Sequence, residues 1–233
     1  MSKIDAVLLD VGGVFLLPDH ERMVAALARA GFDVDRSRLD QAHYAGVSAL
    51  MTFTEGDREV WAAFNRAYAR ECGVPEDALA DAVEHLLNEF ATGAVWSRVV
   101  PGSVEALGEL AALGVRLAIV SNADGKAEDR LLEHRICQVG AGPGVEVDTV
   151  LDSEVVGVAK PDPEIFEIAL ERVGVSPDRA IHVGDTPGAD VDGAHAAGVC
   201  PVLIDPYDRH SELDVVRVRS LADVVDLVAR ANG

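Results

Sequence analysis

Residues 6 to 9, AVLL, are all apolar, and the run stops at Asp10. A short continuous apolar run of this kind reads as a strand buried on both faces, here over residues 6–10, as in a parallel sheet. Beyond it the period changes. From about residue 20 to 92, the segments ERMVAALARAG, DRSRLDQAHYAGVSALM, DREVWAAFNRAYARECG and PEDALADAVEHLLNEFA repeat apolar residues at helical spacing. Gly31, Gly56 and the stretch from Gly73 to Pro75 separate them. This pattern predicts four helices and no strand. From residue 103 onward, helical and strand patterns alternate. Helices are expected over 103–113, 126–135, 162–174 (with Pro163 in the first turn), ADVDGAHAAG and 220–231. Strands are expected over 115–122, within VEVDTVLDS, and over 179–185 and 200–205. Such alternation predicts a parallel sheet wrapped by helices. The expected organisation is α/β, with a core from residues 1–16 and 98–233 and an all-helical insertion over 17–97.

Composition narrows the functions available. The 233 residues carry a net charge of −20. A nucleic-acid backbone needs a basic stripe, and none is visible, so the charge reads as a solvated acidic surface. Hydrophobic residues make up 49% of the chain, enough for a sizeable core. Cys72, Cys137 and Cys200 lie far apart, with neither CxxC nor zinc spacing, and a reducing cytoplasm is the expected compartment. No apolar run approaches the roughly 20 residues that span a bilayer. The short apolar run of MSKIDAVLLD, bracketed by Asp5 and Asp10, does not read as a signal peptide. A monomer or homodimer away from the membrane is expected.

Ligands of an open parallel sheet bind beyond the carboxyl ends of its strands. There the sequence places Asp10, then Ser121 and Asn122, then Gly184 and Asp185, with Asp190 five residues further on. Lys160, in GVAKPDPEIF, precedes a helix; the other lysines are Lys3 and Lys126. Three close carboxylates cannot all stay ionised without compensation. Lys160 offsets one charge, and a divalent cation would offset two more. An oxygen-rich site without Cys or His suits magnesium. With a hydroxyl and a lysine beside it, such a site is built for a phosphoryl group. Each residue also has a plainer reading. Asp10 could cap a strand end, Ser121 and Asn122 could begin a loop, Lys160 could be solvated, and Asp190 could cap a helix. Gly12 and Gly13 could serve turn geometry alone. Asp192 reads as helix surface, His182 as packed core, and Trp61, Phe64 and Tyr68 as the interior of the helical block.

In combination, DVGGV, VSN, Lys160 and GDTPGAD, in this order, resemble the four motifs of the haloacid dehalogenase superfamily of hydrolases. The helical block resembles the inserted cap of its helical-cap subfamily. The resemblance covers essentially the whole chain and implies a Rossmann-like core. It implies that Asp10 attacks phosphorus to form an aspartyl-phosphate. It further implies a magnesium ion held by Asp10, the Gly12 carbonyl and Asp185, with Asp190 acting directly or through a water. Ser121 would bond a phosphate oxygen, with Asn122 and Lys160 also at the substrate, and Lys160 would position Asp10. The cap would close over a small phosphorylated metabolite, with the loop from Thr52 to Gly56 facing the site.

One departure stands out. Most phosphatases of this family carry a second Asp two residues after the nucleophile, which protonates the leaving oxygen and later activates water. Gly12 occupies that position. Its carbonyl remains for a metal, but general acid–base help, typically about 10²–10⁴-fold, is missing. Three substitutes stay open: a leaving group needing little protonation (an acyl or anomeric phosphate), a water relay, or a hinge side chain such as Asp19 or His20. Two other functions also stay open. Haloacid dehalogenation needs neither metal nor second Asp, although the acidic fourth motif favours a cation. A binding or regulatory module would keep the phosphate pocket without turnover. Phosphonate cleavage through a cap lysine is set aside, because residues 16–97 contain no lysine.

Overall fold

A computed structural model of the chain describes residues 3–50 and 58–233. The segment from Thr52 to Gly56, expected to face the site, lies outside the described residues. The chain opens with β1 (Ala6–Leu9) and β2 (Leu16–Pro18). Four helices follow: α1 (His20–Arg29), α2 (Leu39–Ser48), α3 (Arg58–Glu71) and α4 (Leu79–Phe90). Then come β3 (Trp96–Val99), α5 (Ser103–Ala112), β4 (Arg116–Ser121) and α6 (Ala127–Glu133). The strands β5 (Cys137–Val139), β6 (Val145–Val147) and β7 (Thr149–Asp152) lead into a short α7 (Ser153–Val156). The remainder is α8 (Pro163–Val173), β8 (Ala180–Gly184), α9 (Asp192–Ala196), β9 (Cys200–Ile204), β10 (Val216–Val218) and α10 (Leu221–Asn232).

Six strands form one parallel sheet in the order β10-β9-β8-β1-β4-β7. β1 is central and fully buried, as its unbroken apolar run requires. Alternate residues serve opposite faces. Val7 and Leu9 pack toward Leu107 and Leu110 of α5 and Val224 of α10, whereas Ala6 and Leu8 pack toward Ile165, Phe166 and Ala169 of α8. Helices therefore cover both faces of the sheet. Local chemistry sets their ends. Asp162 caps α8 by accepting from the Glu164 N–H, Pro163 occupies the first turn, and Gly174 closes the helix in the left-handed region.

The four helices between β2 and β3 have an apolar interior of their own, built around Met23, Leu27, Leu39, Phe64, Tyr68 and Leu86. Phe64 and Tyr68 are buried there as expected, whereas Trp61 is only partly buried and packs at the edge. β2 and β3 pair antiparallel at the base of the block, Leu16 opposite Val99. The expected boundaries near residues 16/17 and 97/98 fall inside this two-stranded stem. Among the described residues, no helix is long and apolar enough to cross a membrane.

VEVDTVLDS and four short strands differ from the sequence pattern. VEVDTVLDS holds two strands, because Asp148 breaks the run: its N–H donates to the Leu117 carbonyl at 2.8 Å and its carboxylate accepts from the Leu117 N–H at 2.9 Å. β7 joins the main sheet, while β6 pairs with β5. β2, β3, β5 and β10 have three or four residues each, too short for a period to show.

Asp152, buried at the end of β7, organises the loop after β4. Its two oxygens accept from the backbone N–H groups of Gly125, Glu154 and Ala127 at 3.0 Å each. Asp152→Ala leaves the buried Ala127 N–H without its acceptor and removes two part-buried bonds of an exposed loop, at a cost of about 1–3 kcal/mol. For a chain of this size that lowers Tm by roughly 2–12 °C in a thermal melt. A Tm within a degree of the parent would refute this account of the loop.

Candidate active site

Three strand ends meet where the sheet order reverses. β1 and β8 pair in register from Ala6 opposite Ala180 to Leu9 opposite Val183. The Asp10 N–H extends this ladder by donating to the Val183 carbonyl at 2.9 Å. Asp10 and Asp185 thus stand side by side just beyond the sheet. β4, paired to the other edge of β1, ends in Ser121 at the same rim. All are buried.

Lys160 enters this rim from the connection after α7. Its ammonium contacts Asp10 Oδ1 at 2.8 Å and Asp190 Oδ1 at 2.6 Å. Asn122 fixes the lysine from below: its Nδ2 donates to the Lys160 carbonyl at 2.9 Å, and its Oδ1 accepts from the Lys160 N–H at 2.8 Å. The Asn122 carboxamide, expected at the substrate, is engaged with the backbone that aims Lys160.

Asp190 sits in a π-helical turn, Pro187–Val191, at the start of the expected helix. Such turns recur at functional sites because they redirect a side chain without ending the helix. The carboxylate folds back over Gly184, where a Cβ would fall 2.2 Å from Asp190 Cγ. Besides Lys160 it accepts from His182 Nε2 at 2.9 Å and from the Thr186 N–H at 2.9 Å. Burial holds the His182 imidazole below its ordinary pKa and therefore neutral. Facing a carboxylate, its Nε2 carries the proton. His182 is core, as expected, stacked edge-on against Phe166 at 4.9 Å. It also orients Asp190.

The two glycines of DVGGV differ in kind. Gly13 has φ +65°, and a Cβ there would lie 1.8 Å from Asp185 Oδ2. Only glycine lets the two loops close on each other. At Gly12 a Cβ would meet only Trp96 Cζ3 at 3.8 Å and Asp10 Oδ2 at 3.9 Å, which are ordinary contacts. The fold has room for a side chain at residue 12.

Sequence reasoning missed His43 and Tyr44, adjacent on α2. His43 is buried, and its Nε2 donates to Asp185 Oδ2 at 2.8 Å. The Tyr44 hydroxyl donates to the Gly13 carbonyl at 2.8 Å. The helical block therefore touches the acidic rim through two consecutive residues. Their signal was faint: two polar-tipped rings on the apolar side of a helix. The hinge residues are otherwise employed. Asp19 caps α1 by accepting from the Arg22 N–H at 2.9 Å, and His20 Nε2 bonds Asp40 Oδ1 at 2.7 Å.

One carboxylate oxygen each from Asp10, Asp185 and Asp190 lies within 4.8 Å of the others. Lys160 neutralises one of the three charges. Burial pushes the Asp10 carboxyl up to about 7, with Lys160 lowering it and the charges of Asp190 and Asp185 raising it further. For Asp190 burial also acts upward, but Lys160 and the His182 hydrogen bond outweigh it and hold the carboxyl below its ordinary value. Lys160 is itself held above its ordinary value: burial lowers it, and Asp10 and Asp190 prevail. The residual negative charge and the all-oxygen donor set fit a divalent cation such as magnesium. Above the rim lies a cavity of about 680 Å³, closed on the other side by α2, α3 and α4 residues.

An Asp raised from 3.8 to about 7 contributes stability that is complete below about 3.8 and lost as pH rises through about 7. Above that, the metal-free protein carries a buried charge at a cost. Asp10→Asn therefore stabilises the protein in chelator at pH 8, by about 2 kcal/mol after the lost Lys160 contact is subtracted, or roughly 4–8 °C in Tm. At pH 5 the gain is smaller, because native Asp10 keeps the proton that the unfolded chain has already lost, and it vanishes only below about pH 4. Melts at the two pH values check this, and an equal or lower Tm for the variant at pH 8 contradicts it.

The chain is similar to known proteins. The family model for haloacid dehalogenase-like hydrolases matches residues 4–198. The chain is 38% identical over 143 residues to haloacid dehalogenase-like hydrolase domain-containing protein 3 of Mus musculus, covering 60% of this chain and 54% of that protein. It therefore spans about half the length of that relative. It is 34% identical over 183 residues to phosphoserine phosphatase of Thermus thermophilus, covering 77% of this chain and 68% of that protein. A crystal structure of a dehalogenase superposes with a TM-score of 0.60 at 20% identity, covering 98% of this chain and 99% of that one, a likeness of fold. With its motifs meeting at one rim of a parallel sheet, the chain belongs to the haloacid dehalogenase-like hydrolases.

Proposed function

We propose that the protein is a magnesium-dependent phosphatase that acts through an aspartyl-phosphate on Asp10. The observation that carries this reading is the buried cluster of Asp10, Asp185 and Asp190 around a single ammonium group, Lys160. Metal-independent dehalogenation would leave two of these three charges uncompensated. The named activity of the bacterial phosphoserine phosphatase relative also supports phosphate-ester hydrolysis.

Asp10 is the nucleophile, since its side chain is the more exposed of the two acids on Lys160, whereas both Asp190 oxygens already accept from Lys160, His182 and the Thr186 N–H. Magnesium, when bound, supplies charge neutralisation of the transferring phosphoryl group. Asp10, Asp185 and the Gly12 carbonyl would hold it. Asp190 accepts three hydrogen bonds already, so its task is to anchor Lys160 and to complete the negative field around the ion. Ser121, buried at the end of β4, receives a phosphate oxygen, and Lys160 balances charge on it. His43 orients Asp185, in the way that a hydrogen-bonded partner sets the basicity and direction of a metal-ligating group. The helical block acts as the cap that excludes water. The three cysteines are unpaired, which suits a reducing cytoplasm.

A second reading, a phosphate-binding module without turnover, draws its support from Gly12. Incubation with magnesium and beryllofluoride, followed by a phosphate-release assay on a panel of esters, separates the two. A phosphatase forms the adduct at Asp10 and releases phosphate; a binding module forms the adduct alone. Asp10→Asn or excess chelator is expected to reduce phosphate release at least 10³-fold. His43→Ala is expected to raise the magnesium concentration for half-maximal activity about 10–100-fold. Magnesium activation unchanged in that variant would show that His43 does not act through Asp185.

A further inference from the structure

The cavity has two unlike walls. One is the acidic rim with Lys160. The other, contributed mainly by the helical block, is carbon: Val47, Leu50, Trp61, Phe64, Phe90 and Trp96. The four aromatic rings form a continuous surface. Trp61 and Phe64 lie 5.5 Å apart, Trp61 and Phe90 5.9 Å, and Phe90 and Trp96 5.7 Å, edge-on or tilted. Trp61, Phe90 and Trp96 are only partly buried, so ring surface remains open toward the cavity. Trp96 also borders the space beside Gly12 where a proton donor would stand.

Cations on the cavity walls are committed elsewhere. Among the described lining residues, the Lys and Arg side chains are Lys160, held by Asp10 and Asp190, and Arg130, held by both oxygens of Asp124 at 2.6 and 2.8 Å. Glu154 adds a further negative charge. Arginines of the helical block such as Arg22, Arg29, Arg58 and Arg70 form exposed pairs with glutamates. Residues 51–57, MTFTEGD, contain neither Lys nor Arg. A substrate carrying a carboxylate or second phosphate would lose hydration and gain no counter-charge.

Gly12 bears on the same question from the chemical side. Without a proton donor, the leaving oxygen must depart as an anion. An alcohol is about as weak an acid as water, near 15.7, whereas a phenol titrates near 10. Among groups that leave readily without a proton, a sugar would need polar partners for its hydroxyls, and this wall offers mostly carbon. A phenol matches both the wall and the missing acid.

We propose that the physiological substrate is the phosphate monoester of a phenol on an uncharged aromatic body, a claim that rests on the phosphatase reading above. The aromatic body lies against Trp61, Phe90 and Trp96. An Asp10 oxygen forms a bond to phosphorus as the bond to the phenolic oxygen breaks, and the phenolate leaves with the electron pair and takes a proton from water. A second water then attacks the aspartyl-phosphate, giving inorganic phosphate and the free Asp10 carboxylate.

Steady-state kinetics with magnesium test this on the intact chain. Phenyl and 2-naphthyl phosphate have leaving groups of similar acidity but different apolar area. The expected kcat/KM is about tenfold higher for 2-naphthyl phosphate, through KM, and at least 100-fold higher than for phosphoserine or phosphoglycolate. Across substituted phenyl phosphates, kcat/KM should rise steeply as the leaving phenol becomes more acidic. Gly12→Asp, for which the backbone has room, should flatten that dependence and raise turnover of alkyl esters about 10²-fold. Trp61→Leu should raise KM for 2-naphthyl phosphate about tenfold. Preference for the carboxylated esters, or a rate indifferent to phenol acidity in the wild type, overturns the assignment while leaving the phosphatase reading intact. No turnover of any ester overturns both.

Discussion

Three buried carboxylates share one lysine at the centre of this protein. Lys160 meets Asp10 and Asp190 at 2.8 and 2.6 Å, and Asp185 stands within reach of both acids without its own cation. Much of the surrounding structure serves to hold that imbalance in place. Asn122 grips the Lys160 backbone on both its N–H and its carbonyl. His182 and the Thr186 N–H fix Asp190, and a π-helical turn brings Asp190 back over Gly184. The consequence is an Asp10 carboxyl pushed up to about 7 by burial and by the neighbouring acids. The cluster could hold a divalent cation and is under electrostatic tension without one.

The helical block takes part in this arrangement. α2 reaches the rim through His43 on Asp185 and Tyr44 on the Gly13 carbonyl. It also meets the loop between β9 and β10, where Ser48 lies 3.0 Å from His210 Nε2 and Tyr44 packs against Tyr207 at 5.6 Å. Glu71 adds an ion pair with Arg209 at 2.7 Å. These polar contacts bring the aromatic wall over Asp10. Opening the block would break the hydrogen bond that orients Asp185, so access to the cavity and the geometry of Asp185 are coupled.

Gly12 and Gly13 show how identical neighbours answer to different constraints. Gly13 is dictated by backbone conformation and by Asp185 at van der Waals range, and no side chain can stand there. Gly12 faces open space beside Trp96, so its missing carboxylate is a matter of chemistry, not of fit. The aromatic wall across the cavity gives that absence a context, since a leaving group that departs as a stable anion makes a proton donor dispensable.

Much of this was legible along the chain. The apolar run at β1, the helical periods of residues 20–92 and the later alternation of strand and helix report burial, which is a local property of each segment. The positions of Asp10, Ser121 and Asp185 followed from the rule that strand ends in a parallel sheet carry the chemistry, and Lys160 from its place before a helix. The short strands β2, β3, β5 and β10 escaped, because they are too short to show a period. The sequence was also silent on what depends on contacts between residues distant along the chain: His43 against Asp185, Asn122 turned to Lys160, Trp96 beside Gly12, and the carbon wall of the cavity. Sequence by itself determined which segments are buried and which residue types stand at the strand ends, since burial and strand direction are written locally. Only the tertiary structure decided which polar groups are already partnered and which remain open to a ligand, because hydrogen-bond partners and cavities are made by residues distant in the chain.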